Sequence, residues 1–465
     1  MDPDLQKGEI NTEAPTASKT SMFTLLFLAA QFGWRLAAGD VEAAFLNGIE
    51  SKRNLYFEPP KRGLPGVEPG SLVEIVKGVF GLSNSPRLWW DKLAGELKNL
   101  DIIVNGIQLR LAHHDFDPCL FLLQERDDPN KLRGALITHV DDLLIAAPPG
   151  EIQQLMKGLS AIFPIAEWEQ GNFEYTGSTI TQYDDVIEVH QKSYINSRLE
   201  TVEFPAVYNL DDPADEVTKQ DNMSTVGALS WLASQSRPDL QAGVSLAQRK
   251  QKSPTYGDVK ETNRVVKMAQ AGKDEPLRFT RLTDDPSKLL LLVYHDAAWA
   301  NVQPDPVVEP HEADDAQGQG VYSQLGHVML MTTRDALEGA RCPSMVVGWQ
   351  SQACPRVCRS TFAAETMAAL GGWEDALAFR AYVAGALRPG VATTREEMSR
   401  DLFPIVSVTD CKSLYDNVHR VGGPRAPTEK APPSRFDCFE AHGQRRIPEV
   451  GPRTTWCKDP SLGAN

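Results

Sequence analysis

The chain has 465 residues, 42% of them apolar, and a formal net charge of −15. This length is sufficient for two or three domains with ordinary hydrophobic cores. The longest N-terminal apolar run, residues 22–30, is too short to cross a bilayer and lacks the basic start of a signal peptide, so we expect no membrane segment. Seven cysteines without a regular framework indicate a reducing compartment rather than a secreted disulfide-bonded fold.

The acidic balance argues against general affinity for nucleic acid, because contacts with phosphates depend on Lys and Arg. A local basic channel is still compatible with this acidic balance, since net charge does not describe how charges are distributed. Each basic candidate also fits an ordinary solvated surface. The candidates are Lys52, Arg53, Lys61, Arg62, Lys77, Arg87 and the run 249–252.

The N-terminal third predicts a mixed pattern of helices and strands. Residues 1–20 carry little apolar content and are predicted to be a flexible lead-in. The run 22–30 predicts a buried helix, and residues 36–48 predict a short strand that carries Asp40 and leads into a turn or helix of small residues. Leucines at near-helical intervals in residues 86–100 predict a helix with a buried apolar face.

Asp141 and Asp142 lie between the apolar runs 135–137 and 143–147, which predicts a hairpin with two acids at its tip. Side chains of a strand alternate between its faces, so one carboxylate can bind a shared Mg²⁺ while the other faces away or takes a second role. For an isolated pair, a solvated turn is the commoner outcome. Asp40 is a third acid that could complete the set of metal ligands. Its presence favours a metal site over a solvated turn.

Three segments in order resemble the reverse transcriptase of copia-type retrotransposons. Residues 40–48 read Asp-Val-Glu-Ala-Ala-Phe-Leu-Asn-Gly, residues 79–90 contain Gly-Leu-Ser-Asn-Ser-Pro-Arg, and residues 139–142 read His-Val-Asp-Asp. The family has an acid followed by Val-x-x-Ala-Phe-Leu-Asn-Gly, then Tyr-Gly-Leu-Lys-Gln-Ser-Pro-Arg, then an aromatic residue before Val-Asp-Asp. His139 stands where the family has that aromatic residue.

The resemblance implies an α+β fold, with a palm domain over residues 21–183 and a thumb or connection region over residues 184–285. It implies that the acids bind Mg²⁺, or Mn²⁺ as the alternative, for phosphoryl transfer from deoxynucleoside triphosphates. The implied metal ligands and catalytic residues of the polymerase are Asp40, Asp141 and Asp142.

The resemblance also implies where substrates bind. The family's bulky residue that crowds the sugar 2′ position corresponds to Phe45, although plain core packing fits this residue equally well. Contacts with the template nucleotide are implied for Asn84, Ser85 and Pro86. Contacts with the primer end are implied for Tyr175 and Gly177, within a segment that looks like the family's primer-gripping strand turn.

The region that follows the palm is predicted to be scaffold. Residues 187–202 and 224–247 are predicted to be helices. Arg237 is expected to pair with Asp239 rather than contact a phosphate. Cys354 and Cys358 have the spacing Cys-x-x-x-Cys without a matching second pair, which favours ordinary thiols over a zinc site.

A second set of acids lies towards the C-terminus. Asp296 ends an apolar strand, Glu365 lies in a helix-like segment, and Asp410 closes the predicted strand 405–410. Acids from a strand, a helix and a strand can converge on a pair of metals that cleaves a phosphodiester. Each of these acids alone also fits a surface or capping residue.

This set resembles the ribonuclease H domain that follows copia-type polymerases. The family's Gly-bearing strand corresponds to residues 326–330, and its Arg-Ser-Thr helix start corresponds to residues 359–361. The resemblance implies an α/β domain over residues 286–420 with a mixed five-stranded sheet and helices. It implies that Asp296, Glu365 and Asp410 are metal-binding and catalytic.

Two departures from the family bear on activity. The family's fingers segment has no counterpart before residue 21, and its last metal-binding acid has no counterpart after Trp456. Thr428-Glu429-Lys430 resembles a family motif, but residues 431–434 break the helix expected there. We therefore expect a chain truncated at both ends, with weakened or absent nuclease activity and an irregular tail over residues 421–465.

Three functions remain open on sequence alone. The chain is an active RNA-directed DNA polymerase with ribonuclease H, an inactive retroelement remnant, or a host-recruited scaffold that binds nucleic acid. The expected partners are an RNA template, a DNA primer, an RNA–DNA hybrid, deoxynucleoside triphosphates and other Pol or Gag products. The expected location is intracellular, either cytoplasmic in a virus-like particle or nuclear.

Overall fold

The computed structural model describes residues 11–302, 322–388 and 402–420. The chain divides into two compact units, residues 1–408 and 409–465. None of the helices in the described ranges combines the length and the apolar character needed to cross a membrane. The predicted tail over residues 421–465 lies outside the described residues.

The first helix, α1 (Lys19–Phe32), is buried around most of its circumference, as its apolar sequence predicted. Ser18 caps its start by accepting a hydrogen bond from the backbone N–H of Ser21. Gly33 ends it in the left-handed conformation, with φ of 67°. The helix is therefore a central core element of the first unit.

The next elements form a seven-stranded sheet and two helices that pack against it. Every neighbouring pair in the sheet is antiparallel, in the order β4-β5-β6-β7-β8-β1-β9. The elements are β1 (Arg35–Val41), β2 (Tyr56–Phe57), β3 (Val73–Glu74), α2 (Ser85–Asn99), β4 (Asp101–Val104), β5 (Ile107–His114), β6 (Asp117–Glu125), β7 (Leu132–His139), β8 (Asp142–Ala147), α3 (Pro149–Ile162) and β9 (Ile165–Gln170).

The two faces of this sheet are covered by different helices, as the alternation of strand side chains requires. In β1, Leu36 and Ala38 pack on the face that α1 covers, whereas Ala37 and Val41 face α2 and α3. β2 and β3 form a separate two-stranded hairpin. The result is a mixed α and β architecture that is compatible with a reverse transcriptase domain.

The following elements form a four-stranded antiparallel sheet in the order β10-β11-β12-β13 and a group of helices. Their bounds are β10 (Asn172–Tyr175), β11 (Ser178–Gln182), β12 (Val186–His190), α4 (Lys192–Arg198), α5 (Glu216–Gln235), α6 (Gln241–Lys250), α7 (Tyr256–Ala271) and β13 (Leu277–Thr280).

The predicted helix over residues 187–202 is wrong in its first part. The segment β12 alternates between half-buried and buried residues and pairs with β13, which lies about ninety residues further along the chain. Only residues 192–198 are helical. The predicted helix over residues 224–247 is confirmed as α5 and α6, joined by a short 3₁₀ turn at Pro238–Leu240.

The last sheet of the first unit has the order β16-β15-β14-β17, in which β17 runs parallel to β14. Within the described residues this sheet has four strands, against the five that were predicted. The elements are β14 (Leu289–Val302), β15 (Tyr322–Thr333), β16 (Met345–Ala353), α8 (Thr361–Leu387) and β17 (Ile405–Val408). In the second unit, the described residues 409–420 contain α9 (Lys412–Val418).

Candidate active site

The Asp-Asp hairpin has the form that the sequence predicted. β7 and β8 are joined by a two-residue turn, with His139 and Asp142 paired on either side of it. Val140 adopts φ of 59°, a left-handed conformation that is strained for a β-branched residue. The turn therefore costs free energy that the surrounding contacts must offset.

Trp89 supplies one such contact. Its indole N–H donates to the carbonyl oxygen of Val140 at 2.7 Å. The ring is 1% exposed and packs edge-on against Phe163. The sequence alone did not indicate that Trp89 holds the acidic turn in place.

Asp40 lies beside the hairpin because β1 pairs with β8. Asp40 is directly opposite Asp142, and the backbone N–H of Val41 donates to the carbonyl oxygen of Asp141 at 3.1 Å. One ligand atom from each of the three acids lies within 4.8 Å of the other two. This spacing suits oxygen ligands around a shared divalent cation.

Gly39, next to Asp40, has no side chain and so allows the ring of Trp168 to lie close to the backbone of β1. A Cβ atom at this position would lie 2.8 Å from the ring of Trp168 on β9. The pairing of β1 with β9 is also irregular between Gly39 and Val41. Bulges of this kind are common next to active sites, where they change the direction of a side chain.

The electrostatics of the three acids are unfavourable without a cation. Burial, followed by the charges of Asp141 and Asp40, raises the pKa of Asp142 to about 6. Burial and the charges of Asp141 and Glu42 also raise the pKa of Asp40. Carboxylates held together at this cost are a frequent property of metal and catalytic sites.

The predicted substrate residues near α2 differ in their access to solvent. Phe45 is half-buried on the 3₁₀ turn after Asp40, and its ring contacts the exposed ring of Phe80 at 4.9 Å between centroids. Asn84 and Ser85 are buried, and the Ser85 hydroxyl donates to the carbonyl oxygen of Val79 at 2.7 Å. Pro86 is half-buried at the start of the helix.

The two predicted primer residues lie at the turn between β10 and β11. The side chain of Tyr175 is 2% exposed, so its ring presents no surface to a primer in this conformation. Burial, followed by the charge of Asp142, raises the pKa of the Tyr175 hydroxyl well above its usual value. Gly177 adopts φ of 76° and approaches Trp231, whose side chain is 41% exposed.

A buried polar network between α1 and β6 was not predicted. Asp117, which is 4% exposed, accepts hydrogen bonds from the backbone N–H of Ser18 and from the hydroxyl of Ser21. Its other oxygen accepts from the backbone N–H of Cys119 at 2.8 Å. The network ties the start of α1 to β6, and no pattern in the sequence pointed to it.

Two acids of the second set meet within the first unit. Asp296 lies opposite Gly326 on β15 and is exposed, whereas Glu365 lies on α8 and is 4% exposed. Their ligand atoms lie within 4.8 Å of each other. Ser360 caps α8 by accepting from the backbone N–H of Ala363, in agreement with the predicted helix start.

Asp410 does not close a strand as predicted. β17 ends at Val408, and Asp410 follows it in the second unit, where its side chain is exposed. Its predicted metal-binding role stays a prediction. Arg237 does pair with Asp239, at 2.7 Å, as expected.

The architecture and the acids at its strand ends define the class of protein: a mixed α and β domain with a candidate metal site at one edge of its large sheet. Residues 6–215 match the model of the family described as reverse transcriptase (RNA-dependent DNA polymerase).

Curated proteins that resemble the chain come from mobile elements. The chain is 23% identical over 307 residues to the retrovirus-related Pol polyprotein from transposon RE1 of Arabidopsis thaliana. The aligned region covers 63% of this chain and 20% of that polyprotein. It is 24% identical over 275 residues to the putative transposon Ty5-1 protein of Saccharomyces cerevisiae, over 56% of this chain and 82% of that protein.

A third relative is the retrovirus-related Pol polyprotein from transposon TNT 1-94 of Nicotiana tabacum. It is 25% identical over 262 residues, which cover 52% of this chain and 19% of that polyprotein. The chain is therefore a relative of copia-type retrotransposon Pol polyproteins. It spans about a fifth of the length of these plant relatives.

Proposed function

We propose that this chain is an RNA-directed DNA polymerase whose catalytic acids are Asp40, Asp141 and Asp142. The family match supports a reverse transcriptase-like function at low identity. The observation that carries the finer proposal is the convergence of the three carboxylates within 4.8 Å at adjoining strand ends. These acids lie inside the matched region.

The proposed chemistry follows from the donor set. A divalent metal bound here would act as a Lewis acid that activates the primer hydroxyl, and it would neutralise charge on the leaving pyrophosphate. Asp40 and Asp141 would hold it, and Asp142 would support them from the opposite side of the β1–β8 pair. Phe45, on the turn that follows Asp40, would contact the sugar of an incoming nucleotide.

We infer that the excursion over residues 49–80 contacts the template or primer strand. It exposes Lys52, Lys61 and Arg62 together with the rings of Tyr56 and Phe57. Basic side chains neutralise phosphates, and exposed rings stack on unpaired bases. The segment carries five basic and four acidic residues, so its net charge of +1 contrasts with the net charge of −15 of the whole chain.

A second candidate activity is ribonuclease H. It is supported by Asp296 and Glu365, an exposed and a buried carboxylate within 4.8 Å of each other beside a mixed sheet. Two-metal hydrolysis of an RNA strand requires such oxygen ligands. Cleavage of the RNA in an RNA–DNA hybrid, lost on Glu365→Gln, is the expected outcome.

Primer extension by the full chain on an RNA template tests the polymerase proposal. Mg²⁺-dependent incorporation of deoxynucleotides by the wild type is expected, with a loss of at least a hundredfold on Asp141→Asn, in line with the usual effect of removing one preorganised catalytic group. Asp221→Asn, which changes an exposed acid on α5, is the matched control and should leave the rate unchanged.

The same assay separates the alternatives. Equal incorporation by the wild type and Asp141→Asn would contradict the assignment of the acids. Absence of incorporation by a folded wild type that still binds a primer–template duplex would instead support the inactive remnant or scaffold.

A further inference from the structure

Two cysteines lie side by side where β16 leads into α8. Cys354 directly follows β16, and Cys358 lies three residues before α8. Their Sγ atoms are 3.6 Å apart, and neither cysteine is in a disulfide. The side chains are 1% and 8% exposed. The two thiols are thus in van der Waals contact in a buried position.

The surroundings of the pair are apolar on one side and open on the other. Ala297, Leu325 and Ala364 pack around the thiols. The three residues that separate the cysteines, 355–357, are exposed and belong to no helix or strand. The indole N–H of Trp299 donates to the carbonyl oxygen of Cys358 at 3.0 Å. One cysteine is therefore anchored to β14, while the connection between the two is exposed.

We propose that Cys354 and Cys358 form a reversible intrachain disulfide, a modification site in the connection that leads to the helix carrying Glu365. A disulfide has an S–S distance of about 2.05 Å, so the sulfurs must approach by about 1.5 Å. The exposed connection can supply this movement. The proposal is independent of the polymerase activity.

The arrangement favours a disulfide over a zinc site. Among the described residues, the groups of three or more potential metal ligands include neither cysteine. A structural zinc ion normally requires four protein ligands. Two thiols alone leave half of that coordination unfilled.

Cys354 is the thiol suited to react first. The hydrogen bond from the Cys358 thiol, together with the nearby charge of Arg356, holds the pKa of Cys354 below its usual value. A thiolate is the nucleophilic form of cysteine, so a larger thiolate fraction speeds the first step. Burial restricts attack to small oxidants such as hydrogen peroxide.

The oxidation is balanced with hydrogen peroxide as the oxidant. The Cys354 thiolate attacks one peroxide oxygen, the O–O bond breaks, and the released hydroxide takes up a proton to give water and a sulfenic acid. The Cys358 sulfur then attacks the Cys354 sulfur, the S–O bond breaks, and the leaving hydroxide takes the Cys358 proton as a second water. Two thiols have lost two electrons in total.

The product should be readily reversed. The disulfide would close a loop of only five residues, which stabilises the folded chain little through loop entropy. Thiol–disulfide exchange with a small dithiol such as dithiothreitol would return both thiols. A reversible mark, and not a permanent structural crosslink, is therefore expected.

Peptide mapping of the intact, folded chain after treatment with hydrogen peroxide tests the proposal. Trypsin cleaves after Arg356, between the two cysteines, so the disulfide would join peptides 342–356 and 357–359. This joined pair should be absent before oxidation and should disappear when the oxidised chain is treated with dithiothreitol before digestion. Fragmentation should place the bond at Cys354.

Variants identify the partner, because peptide 342–356 also contains Cys342. Cys342→Ser is the matched control and should form the joined pair as the wild type does, whereas Cys354→Ser should not form it. A bond that requires Cys342, or oxidation of Cys354 that stops at a sulfinic acid, would overturn the proposal. So would zinc retained at one ion per chain by the wild type and lost on Cys354→Ser.

Discussion

Asp142 shows at the scale of one residue how a site can oppose folding. Its carboxyl group lies near two other acids and is partly removed from water, so its pKa is about 6 in the folded chain. In an unfolded chain it returns to about 3.8. Between these values the folded state holds a proton that the unfolded state has released, so the free energy of unfolding falls as pH rises from about 4 to about 6.

We therefore predict that Asp142→Asn stabilises the metal-free protein at pH 7.5 by about 1–3 kcal/mol, since the cost is fully present above pH 6. Mg²⁺ should stabilise the wild type against urea more than it stabilises the variant, which lacks one ligand charge of the first acid group. Asp221→Asn serves as the control. Equal stability of Asp142→Asn and the wild type without metal would count against this account.

Lys19 offers a second test at the residue scale, away from the acids. Burial lowers the pKa of this amine to about 7, and the charge of Asp375 opposes the shift only in part. The amine lies 3.3 Å from the centroid of the Trp349 ring. Between pH 7 and 10.5 the unfolded state keeps a proton that the folded state has lost, so the free energy of unfolding rises with pH.

We predict a rise of about 1–3 kcal/mol in the free energy of unfolding between pH 7 and pH 9 that depends on Lys19. Lys19→Met should remove this part of the pH dependence, whereas Lys157→Met, which changes an exposed lysine on α3, should keep it. Urea unfolding at the two pH values measures the difference. A pH dependence that is the same in all three proteins would contradict the prediction.

At the scale of elements, α2 and the β7–β8 hairpin form one functional assembly. The indole N–H of Trp89 is bound to the carbonyl oxygen of the strained Val140, one residue before Asp141. Loss of this hydrogen bond would leave the half-buried carbonyl of Val140 without its indole partner and free the turn to move. The acids would then be less well positioned, even if the sheet were intact.

Trp89→Phe is expected to lower the free energy of unfolding by about 1–3 kcal/mol and the rate of primer extension by about tenfold. The matched change Trp90→Phe, on the half-buried neighbouring ring, should affect the rate less. Rates are compared under conditions in which each variant is fully folded. A slower rate in Trp90→Phe than in Trp89→Phe would contradict the assigned role.

The sequence predicted the elements whose patterns are local. α1, the Asp40 strand and the Asp-Asp hairpin each follow from an apolar run or an alternation within a few residues. β12 was wrongly predicted as helix, because its strand form depends on pairing with β13 far along the chain. The burial of Tyr175 was not predicted for the same reason: it depends on packing between distant elements.

At the scale of the whole first unit, α1 contacts all three large sheets. Phe23 lies 5.7 Å from Phe279 of β13 and 5.5 Å from Trp349 of β16, measured between ring centroids. The same helix packs against β1 in the seven-stranded sheet. The first unit, which extends to residue 408, contains this helix and all three sheets. The domain boundaries predicted from the sequence stay a prediction.

A helix shared by three sheets should make their unfolding cooperative. We predict one calorimetric transition for residues 1–408 within the full chain, and a loss of about 3–5 kcal/mol on Phe23→Ala because a large buried ring is removed. Phe32→Ala, at the exposed end of the same helix, should cost much less. Two separate transitions, only one of them shifted by Phe23→Ala, would show that the sheets unfold independently.

The central claim is that Asp40, Asp141 and Asp142 bind a divalent metal, and binding of Mn²⁺ to the full chain tests it most directly. Electron paramagnetic resonance counts the bound ions in the wild type, in the double variant Asp40→Asn with Asp141→Asn, and in Glu365→Gln. The double variant should lose ions that Glu365→Gln retains, because the acids form two separate candidate metal sites. Equal Mn²⁺ binding by the wild type and the double variant would contradict the account.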